Sequence, residues 1–159
     1  MAKNKINFNI LKKTAKTHGV IYFCKENKFY ILNDFISVII PCEKIDMNEI
    51  IKNTGAVEDE NIISMLENVL NEATEDTKDT HVFYENEDGV YKYFKNTQCV
   101  IKMDTKLLKI VDKLNYKKVR SSKSTKPLVF SVDDIQIIIT PAYHTKKEIS
   151  LIDFIKNNM

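Results

Sequence analysis

The same order of elements, strand, turn, strand and proline, occurs twice in this chain, about a hundred residues apart. In 29–41, two apolar runs flank an Asn-Asp turn and end at a proline; in 129–141, two such runs flank an Asp-Asp turn and end the same way. Each copy follows a short amphipathic segment rich in lysine. A repeat of this kind decides how the whole chain is divided. We therefore predict two similar halves, each a helix followed by three strands, at about 6–41 and 97–141.

An acidic helical insert at about 45–80 separates the two halves. Its helix is predicted to begin near 58–60, where three consecutive acidic residues suit the positive end of the helix dipole. Apolar residues recur along it at helical spacing, and we predict that they form its buried stripe: Ile62, Met65, Leu66, Val69 and Leu70. Residues 74–80 are predicted to be a polar loop. A hairpin over 81–94 follows, turned at an Asp-Gly pair.

The last third of the chain is predicted to contain a strand over 98–103, a helix over 104–114 capped by Asp104, the repeated hairpin, and a closing helix at about 146–157. The buried stripe of the helix over 104–114 is predicted to be Leu107, Leu108, Val111 and Leu114, and the closing helix is predicted to have as its apolar contacts Ile149, Ile152, Phe154 and Ile155. The second strand of each hairpin is almost wholly apolar, which is typical of a strand buried on both faces. With 159 residues, 43% hydrophobic and 29% charged, the chain is long enough for one core. We predict an α+β fold in a single domain over 1–159.

Several classes of protein are disfavoured by the composition. The chain lacks a basic start followed by an apolar stretch, and its apolar runs are far shorter than the roughly 20 residues that span a bilayer. A soluble cytoplasmic protein without a membrane partner is therefore expected. Abundant Lys, Ile and Asn with a single arginine, Arg120, point to an AT-rich coding sequence. This is typical of a low-GC bacterium or one of its phages.

Neither a metal site nor a catalytic site is predicted. The cysteines form no closely spaced pair, and the histidines are too scattered to complete a zinc site: Cys24, Cys42, Cys99, His18, His81 and His144. The chain carries no glycine-rich phosphate loop, no Gly-x-Ser-x-Gly elbow and no His-Glu-x-x-His motif. We therefore expect a protein without cofactor that is not an enzyme.

Charge is strongly segregated along the chain, although the net charge is only +2. Between Asp46 and Asp88 there are thirteen acidic residues and two lysines, and the remainder is basic. The basic residues that we predict to contact DNA lie on the helices at about 7–18 and 104–114 and just after the second: Lys12, Lys13, Lys16, Lys106, Lys109, Lys113, Lys117, Lys118 and Arg120. Lysines meet phosphates as sequence-independent charges, which suits non-specific binding to double-stranded DNA. The same lysines could also be the ordinary solvent faces of surface helices.

The last third of the chain resembles a half-domain of the DNA sliding clamps. The likeness is carried by 99–114, by the Lys-Pro-led strand 126–130 and by the strand 137–141 that ends at a proline. It implies two similar halves, whose Lys-bearing helices face DNA and whose sheets form the outside and pair between subunits. Two features differ from a clamp. A clamp ring has six such domains where this sequence accounts for one, so a ring would need self-association or other chains, and the acidic insert exceeds the usual link.

A second interpretation is a protein-interaction module, such as a small phage inhibitor of a host enzyme or a partner of a replication protein. It would act through its acidic segment, which could imitate nucleic acid or occupy a basic cleft. The residues concerned are Glu58, Asp59, Glu60, Glu67 and Glu72. A third interpretation is that the repeated hairpin is purely structural.

Overall fold

The computed structural model describes residues 21–32, 35–44 and 60–159. Within them the fold is α+β, with three α-helices and two antiparallel sheets. The helices are α1 (Glu60–Glu72), α2 (Thr105–Leu114) and α3 (Ile149–Asn158). The strands are β1 (Ile21–Lys25), β2 (Lys28–Leu32), β3 (Ile36–Pro41), β4 (Glu75–Asp76), β5 (Lys78–Asn86), β6 (Gly89–Lys95), β7 (Val100–Asp104), β8 (Lys118–Ser121), β9 (Leu128–Val132) and β10 (Ile135–Ile139). The predicted helix at 7–18 and the Asn33-Asp34 turn lie outside the described residues.

The larger sheet has seven strands in the order β1-β2-β3-β10-β9-β8-β4. Its first six strands are two three-stranded meanders, β1 to β3 and β8 to β10, joined where β3 pairs antiparallel with β10. The smaller sheet has the order β5-β6-β7. Both repeated hairpins therefore lie side by side in one sheet, and the segment between them supplies α1, α2, the strands β4 and β8, and the whole of the smaller sheet.

The two hairpins have the same register, but the equivalence differs by one residue from the gap-free alignment of the sequence. Phe29 pairs with Ile40 in the first hairpin, and Leu128 pairs with Ile139 in the second. Phe29 thus corresponds to Leu128, whereas the sequence alignment placed it on Val129. The alignment was wrong in phase because both second strands are nearly all apolar. Such runs carry no alternation, and only alternation tells one face of a strand from the other.

Both second strands are buried on their two faces, as their composition predicted. β3 and β10 share one burial pattern over their first five residues, in which only the second position, Ser37 or Gln136, is half-buried; Pro41 at the end of β3 is half-buried as well. One face of the large sheet packs against α2 and the smaller sheet, through Leu108, Ile110, Val111, Phe94, Ile101 and Met103. The opposite face packs against α1, through Ile63, Leu66 and Ala73. The large sheet is therefore the middle layer of the molecule.

The third helix covers the outer face of the smaller sheet. Ile155 of α3 is fully buried against Tyr93 and Val100, with Leu151 and Ile152 half-buried beside them. The layers thus follow the order α1, large sheet, α2 with the smaller sheet, and α3. The apolar periods of the sequence account for each of these helices, since each one buries a single face.

Three details of the sequence prediction are wrong. Met65 is 55% exposed, and Ile63 is buried in its place. The buried face of α1 follows Ile63 and Leu66 and continues to Ala73 just after the helix, and Met65 lies off that line. The segment 74–80 is mostly strand, since β4 adds to the edge beside β8 and β5 begins at Lys78. Ile149 and Phe154 of α3 are 55% and 56% exposed, so they flank the buried face of that helix.

The hairpin of β5 and β6 is longer than predicted and contains a bulge. The register shifts between Asp79 and Phe83, where His81 has a positive φ of 55°. The amide of His81 donates to Asp79 Oδ1 at 2.8 Å, which supports this left-handed conformation. At the turn, Asn86 Oδ1 accepts from the amides of Asp88 and Gly89 at 2.8 and 3.2 Å. The hairpin therefore turns at the predicted place, but its two turn residues are Glu87 and Asp88, and Gly89 is the first residue of β6.

Candidate nucleic-acid interface

The helix α2 begins and ends at residues that the sequence marks for those roles. Asp104 Oδ1 accepts from the amide of Lys106 at 2.9 Å, so the predicted N-cap is confirmed. Asn115 ends the helix in the left-handed conformation, with φ 51°. Leu108 and Val111 are buried as predicted, Leu107 and Leu114 are half-buried, and Ile110 is buried as well. The helix is therefore fixed in rotation by its apolar face.

Because the apolar face of α2 is buried, three lysines on another side of this helix are exposed to solvent. Lys106, Lys109 and Lys113 are all exposed and follow one another at spacings of three and four, so they share one side of the helix. Within the described residues, none of the three has a carboxylate within 4 Å. Asp112 is also exposed on this helix. We call Lys106, Lys109 and Lys113 the lysine face of α2.

The other basic residues of the predicted set that the structure describes, Lys117, Lys118 and Arg120, contact polar groups. Lys117 Nζ lies 3.4 Å from Asp133, and Lys118 Nζ lies 3.4 Å from Asp76. Arg120 is half-buried and donates to Gln136 Oε1 at 3.5 Å. The two exposed ion pairs are screened by water and hold their lysines only weakly. Even so, each of these three residues already has a polar partner, so it is less available to neutralise a phosphate than the lysine face of α2.

Three of the nine basic residues predicted to contact DNA belong to the predicted helix at about 7–18. Lys12, Lys13 and Lys16 lie outside the described residues, so their position relative to α2 stays a prediction. Two further lysines in the loop before β9, Lys123 and Lys126, are exposed. They extend the free positive charge beyond α2 along the chain.

The acidic helix lies on the opposite side of the large sheet from the lysine face. Glu67 and Glu72 are exposed on α1, while Glu58 and Asp59 lie outside the described residues and the side chain of Glu60 is not described. Because α1 packs on one face of the sheet and α2 on the other, the two charged surfaces are separated by the whole sheet. The acids of α1 are thus separated in space from the lysine face, whereas the acids of β5 and its turn lie on the smaller sheet, on the α2 side.

A buried polar cluster that the sequence analysis missed lies between β6, β7 and the start of α3. Glu148 is fully buried, and its Oε2 lies 2.8 Å from Lys102 Nζ, itself only 2% exposed. The same carboxylate accepts from the hydroxyl of Tyr93 and from the amide and hydroxyl of Thr145, the last two at 2.8 and 2.6 Å. The pattern Thr-x-x-Glu at 145–148 is a capping box, and this signal could have identified Glu148.

The chemistry of this cluster favours a stable ion pair. Burial alone would raise the pKa of Glu148, but hydrogen bonds from Lys102, Thr145 and Tyr93 outweigh it and hold the pKa at about 2. Burial and the hydrogen bond to Glu148 raise the pKa of Tyr93 well above its usual value. The Lys102 ammonium also faces the ring of Tyr91 at 4.2 Å. Neither Glu148 nor Tyr93 is therefore expected to exchange a proton near neutral pH.

Comparison with known proteins gives no match to a protein family, to a curated protein or to a solved structure. Among the described residues, no three His, Cys, Asp or Glu side chains are grouped so that they could hold a metal ion. No helix in the described ranges is both long and apolar enough to cross a membrane. The candidate interface therefore has to be judged on its own geometry and charge.

Proposed function

We propose that this protein is a non-catalytic accessory protein that associates with double-stranded DNA through the lysine face of α2. The observation that carries the proposal is that Lys106, Lys109 and Lys113 are exposed together and lack a carboxylate partner in the described part of the chain. Unpaired ammonium groups replace the counterions condensed on a phosphate backbone, and the release of those ions drives binding. α2 carries no Arg, Asn or Gln that could contact base edges beside these lysines, and this favours binding that does not depend on DNA sequence.

The proposal includes a clamp-like arrangement of two halves. It is supported by the strand order of the large sheet. Outward from the β3–β10 pair, the last, middle and first strands of a meander follow one another on both sides, as β3-β2-β1 and as β10-β9-β8. It is also supported by the shared register and burial of the two hairpins. One feature departs from a clamp. The face of the sheet opposite α2 is covered by α1, whereas the resemblance implies a sheet that forms the outside.

A salt titration tests the proposal. Anisotropy of a labelled DNA duplex is measured with the protein between low and moderate salt, and binding that weakens steeply with salt is expected. The variant Lys106→Glu, Lys109→Glu, Lys113→Glu is expected to lose binding. Its control reverses three exposed lysines outside α2, namely Lys28, Lys78 and Lys156, and so carries the same net charge. If both variants lose binding equally, the lysine face is not the site; if the unmodified protein does not bind at low salt, the function is rejected.

Self-association belongs to the same proposal, because a clamp ring has six domains of this kind. Size-exclusion chromatography with light scattering measures it directly. A defined multimer supports the clamp-like assembly. The free end of the large sheet at β4 is a poor site for such pairing, since this strand has two residues and both are acidic. A monomer that still binds DNA would restrict the proposal to the lysine face.

The exposed acids of α1 support a second candidate, a protein-interaction module. Glu67, Glu72 and the 55% exposed Met65 lie on the solvent side of this helix, and such a combination suits a basic partner surface with some apolar area. The variant Glu67→Gln, Glu72→Gln tests it in a pull-down from bacterial lysate. A partner that is retained by the unmodified chain and lost by this variant supports the second candidate over DNA binding.

A further inference from the structure

The segment 143–147, between β10 and α3, presents an aromatic ring and basic groups to solvent. Tyr143 is 84% exposed, the highest value among the large apolar and aromatic side chains of the described residues that are exposed. His144, Lys146 and Lys147 are exposed as well. Within the described ranges, neither lysine has a carboxylate within 4 Å. The acidic residue that follows, Glu148, is fully buried and paired with Lys102, so it does not neutralise them.

The backbone of this segment is held by hydrogen bonds, while the side chains of Tyr143, Lys146 and Lys147 are exposed. Lys102 Nζ donates to the carbonyl oxygen of Tyr143 at 3.2 Å, and the amide of Ala142 donates to the carbonyl of Lys102 at 2.8 Å. Thr145 donates twice to Glu148, through its amide and its hydroxyl. A fold that leaves a tyrosine outside forgoes the free energy of burying its ring. The anchored loop instead holds that ring in a fixed place, which lowers the entropy lost on binding a ligand.

We propose that the segment 143–147 binds single-stranded nucleic acid, with an unpaired base stacked on Tyr143 and the flanking phosphates beside Lys146 and Lys147. Aromatic platforms next to cationic side chains are how proteins hold single strands without reading their sequence. In a duplex the base faces are occupied by neighbouring bases, so the ring would have no free face to stack on. The inference rests on the proposed nucleic-acid function and extends it. It assigns a second surface, on the α3 side of the smaller sheet, while the lysine face of α2 serves the duplex.

The absence of tryptophan from the chain makes stacking directly measurable. The variant Tyr143→Trp introduces a single indole, whose emission is expected to be quenched saturably by oligothymidylate and to change little with a duplex of equal length. Phe154→Trp is the matched control, because Phe154 is also exposed, at 56%, but lies on α3 and outside the segment 143–147. Adding Lys146→Glu and Lys147→Glu to the Tyr143→Trp variant is expected to abolish the quenching. In the unmodified background, Tyr143→Ala should weaken binding of the single strand about tenfold.

The outcomes separate this inference from the function on which it rests. If anisotropy shows that the single strand binds while the emission of Trp at 143 is unchanged, the stacking site is wrong and duplex binding by α2 is unaffected. If both tryptophans are quenched alike, the contact is not specific to the segment and the inference fails. If quenching at 143 persists while the α2 triple variant still binds duplex normally, the α2 proposal fails and the single-strand site stands. Circular dichroism confirms that each variant is folded.

Discussion

Val38 and Ile137 lie directly opposite each other where β3 pairs with β10, and the two hairpins are arranged symmetrically about this pair. Position by position, β2 and β3 correspond to β9 and β10 on either side of it, with the same cross-strand partners. Both side chains belong to the core on the α2 side of the sheet. The centre of the large sheet is therefore a contact between equivalent positions of two similar hairpins.

This relationship predicts how substitutions at the centre of the sheet combine. Ile137→Val removes a buried methylene and is expected to cost about 1 kcal/mol, and Val38→Ile adds one to a packed core and is expected to cost about 1–3 kcal/mol. The double variant conserves volume across the pair, so its cost should stay below about 1.5 kcal/mol and below the sum of the two single costs. Urea unfolding of the three variants measures this. Additive costs would show that the two side chains do not share one space.

The buried ion pair of Lys102 and Glu148 also predicts that the costs of two substitutions do not add, and here the free energies are larger. Glu148→Gln leaves the Lys102 ammonium buried without its counter-charge, and removing one partner of such a pair costs about 3–5 kcal/mol. Adding Lys102→Met removes the orphaned charge, so the double variant should recover much of the loss. Unfolding in urea gives both values. Hydrogen exchange in α3 provides a second readout, because the pair joins β7 to the start of that helix. A double variant as unstable as Glu148→Gln would contradict this account.

The same carboxyl predicts a dependence of stability on pH. Its pKa is about 2 in the folded chain and lies below its ordinary value of 4.5, so the folded state favours the ionised form. This contribution is therefore present above about pH 4.5 and is lost as the pH falls towards 2. We expect the free energy of unfolding to decline through this range, and less steeply in Glu148→Gln. Parallel curves for the two proteins, from denaturation at several pH values, would assign the decline to other groups.

The N-cap of α2 predicts a smaller effect on stability, in the helix that carries the lysine face. Asp104→Ala removes the acceptor for the amide of Lys106 and is expected to cost about 1 kcal/mol, within a range of about 0.5–2 kcal/mol. Asp104→Asn keeps an acceptor and is the matched control, with a cost near zero. Thermal unfolding followed by circular dichroism compares them. Equal losses in both variants would mean that the charge of Asp104, rather than the cap, stabilises the helix.

The sequence predicted the elements that depend on local pattern and missed what depends on distant contacts. The N-cap role of Asp104 could be assigned from its residue type and the burial of Leu108 from helical periodicity. The position of the β5–β6 turn could be assigned from the Asp-Gly dipeptide. The phase of the hairpins could not be assigned in this way. A strand that is nearly all apolar, such as β10, lacks the alternation that distinguishes its two faces. Lys102 and Glu148 are 46 residues apart, so nothing local marks a strand lysine as buried. The lysine face of α2 was predicted as a pattern, but its lack of a carboxylate partner within the described ranges depends on tertiary structure.

The salt dependence of duplex binding provides the most direct quantitative prediction for the lysine face of α2. Each lysine that neutralises a phosphate contributes about 0.9 to the slope of log affinity against log salt. Neutralising Lys106, Lys109 and Lys113 to glutamine one at a time should therefore lower that slope by about 0.9 per substitution and weaken binding to all duplex sequences alike. The same change at Lys117, which already lies 3.4 Å from Asp133, should lower the slope by less. A slope that falls equally at all four positions would show that only total charge matters, and an unchanged slope in the α2 variants would remove this helix from the interface.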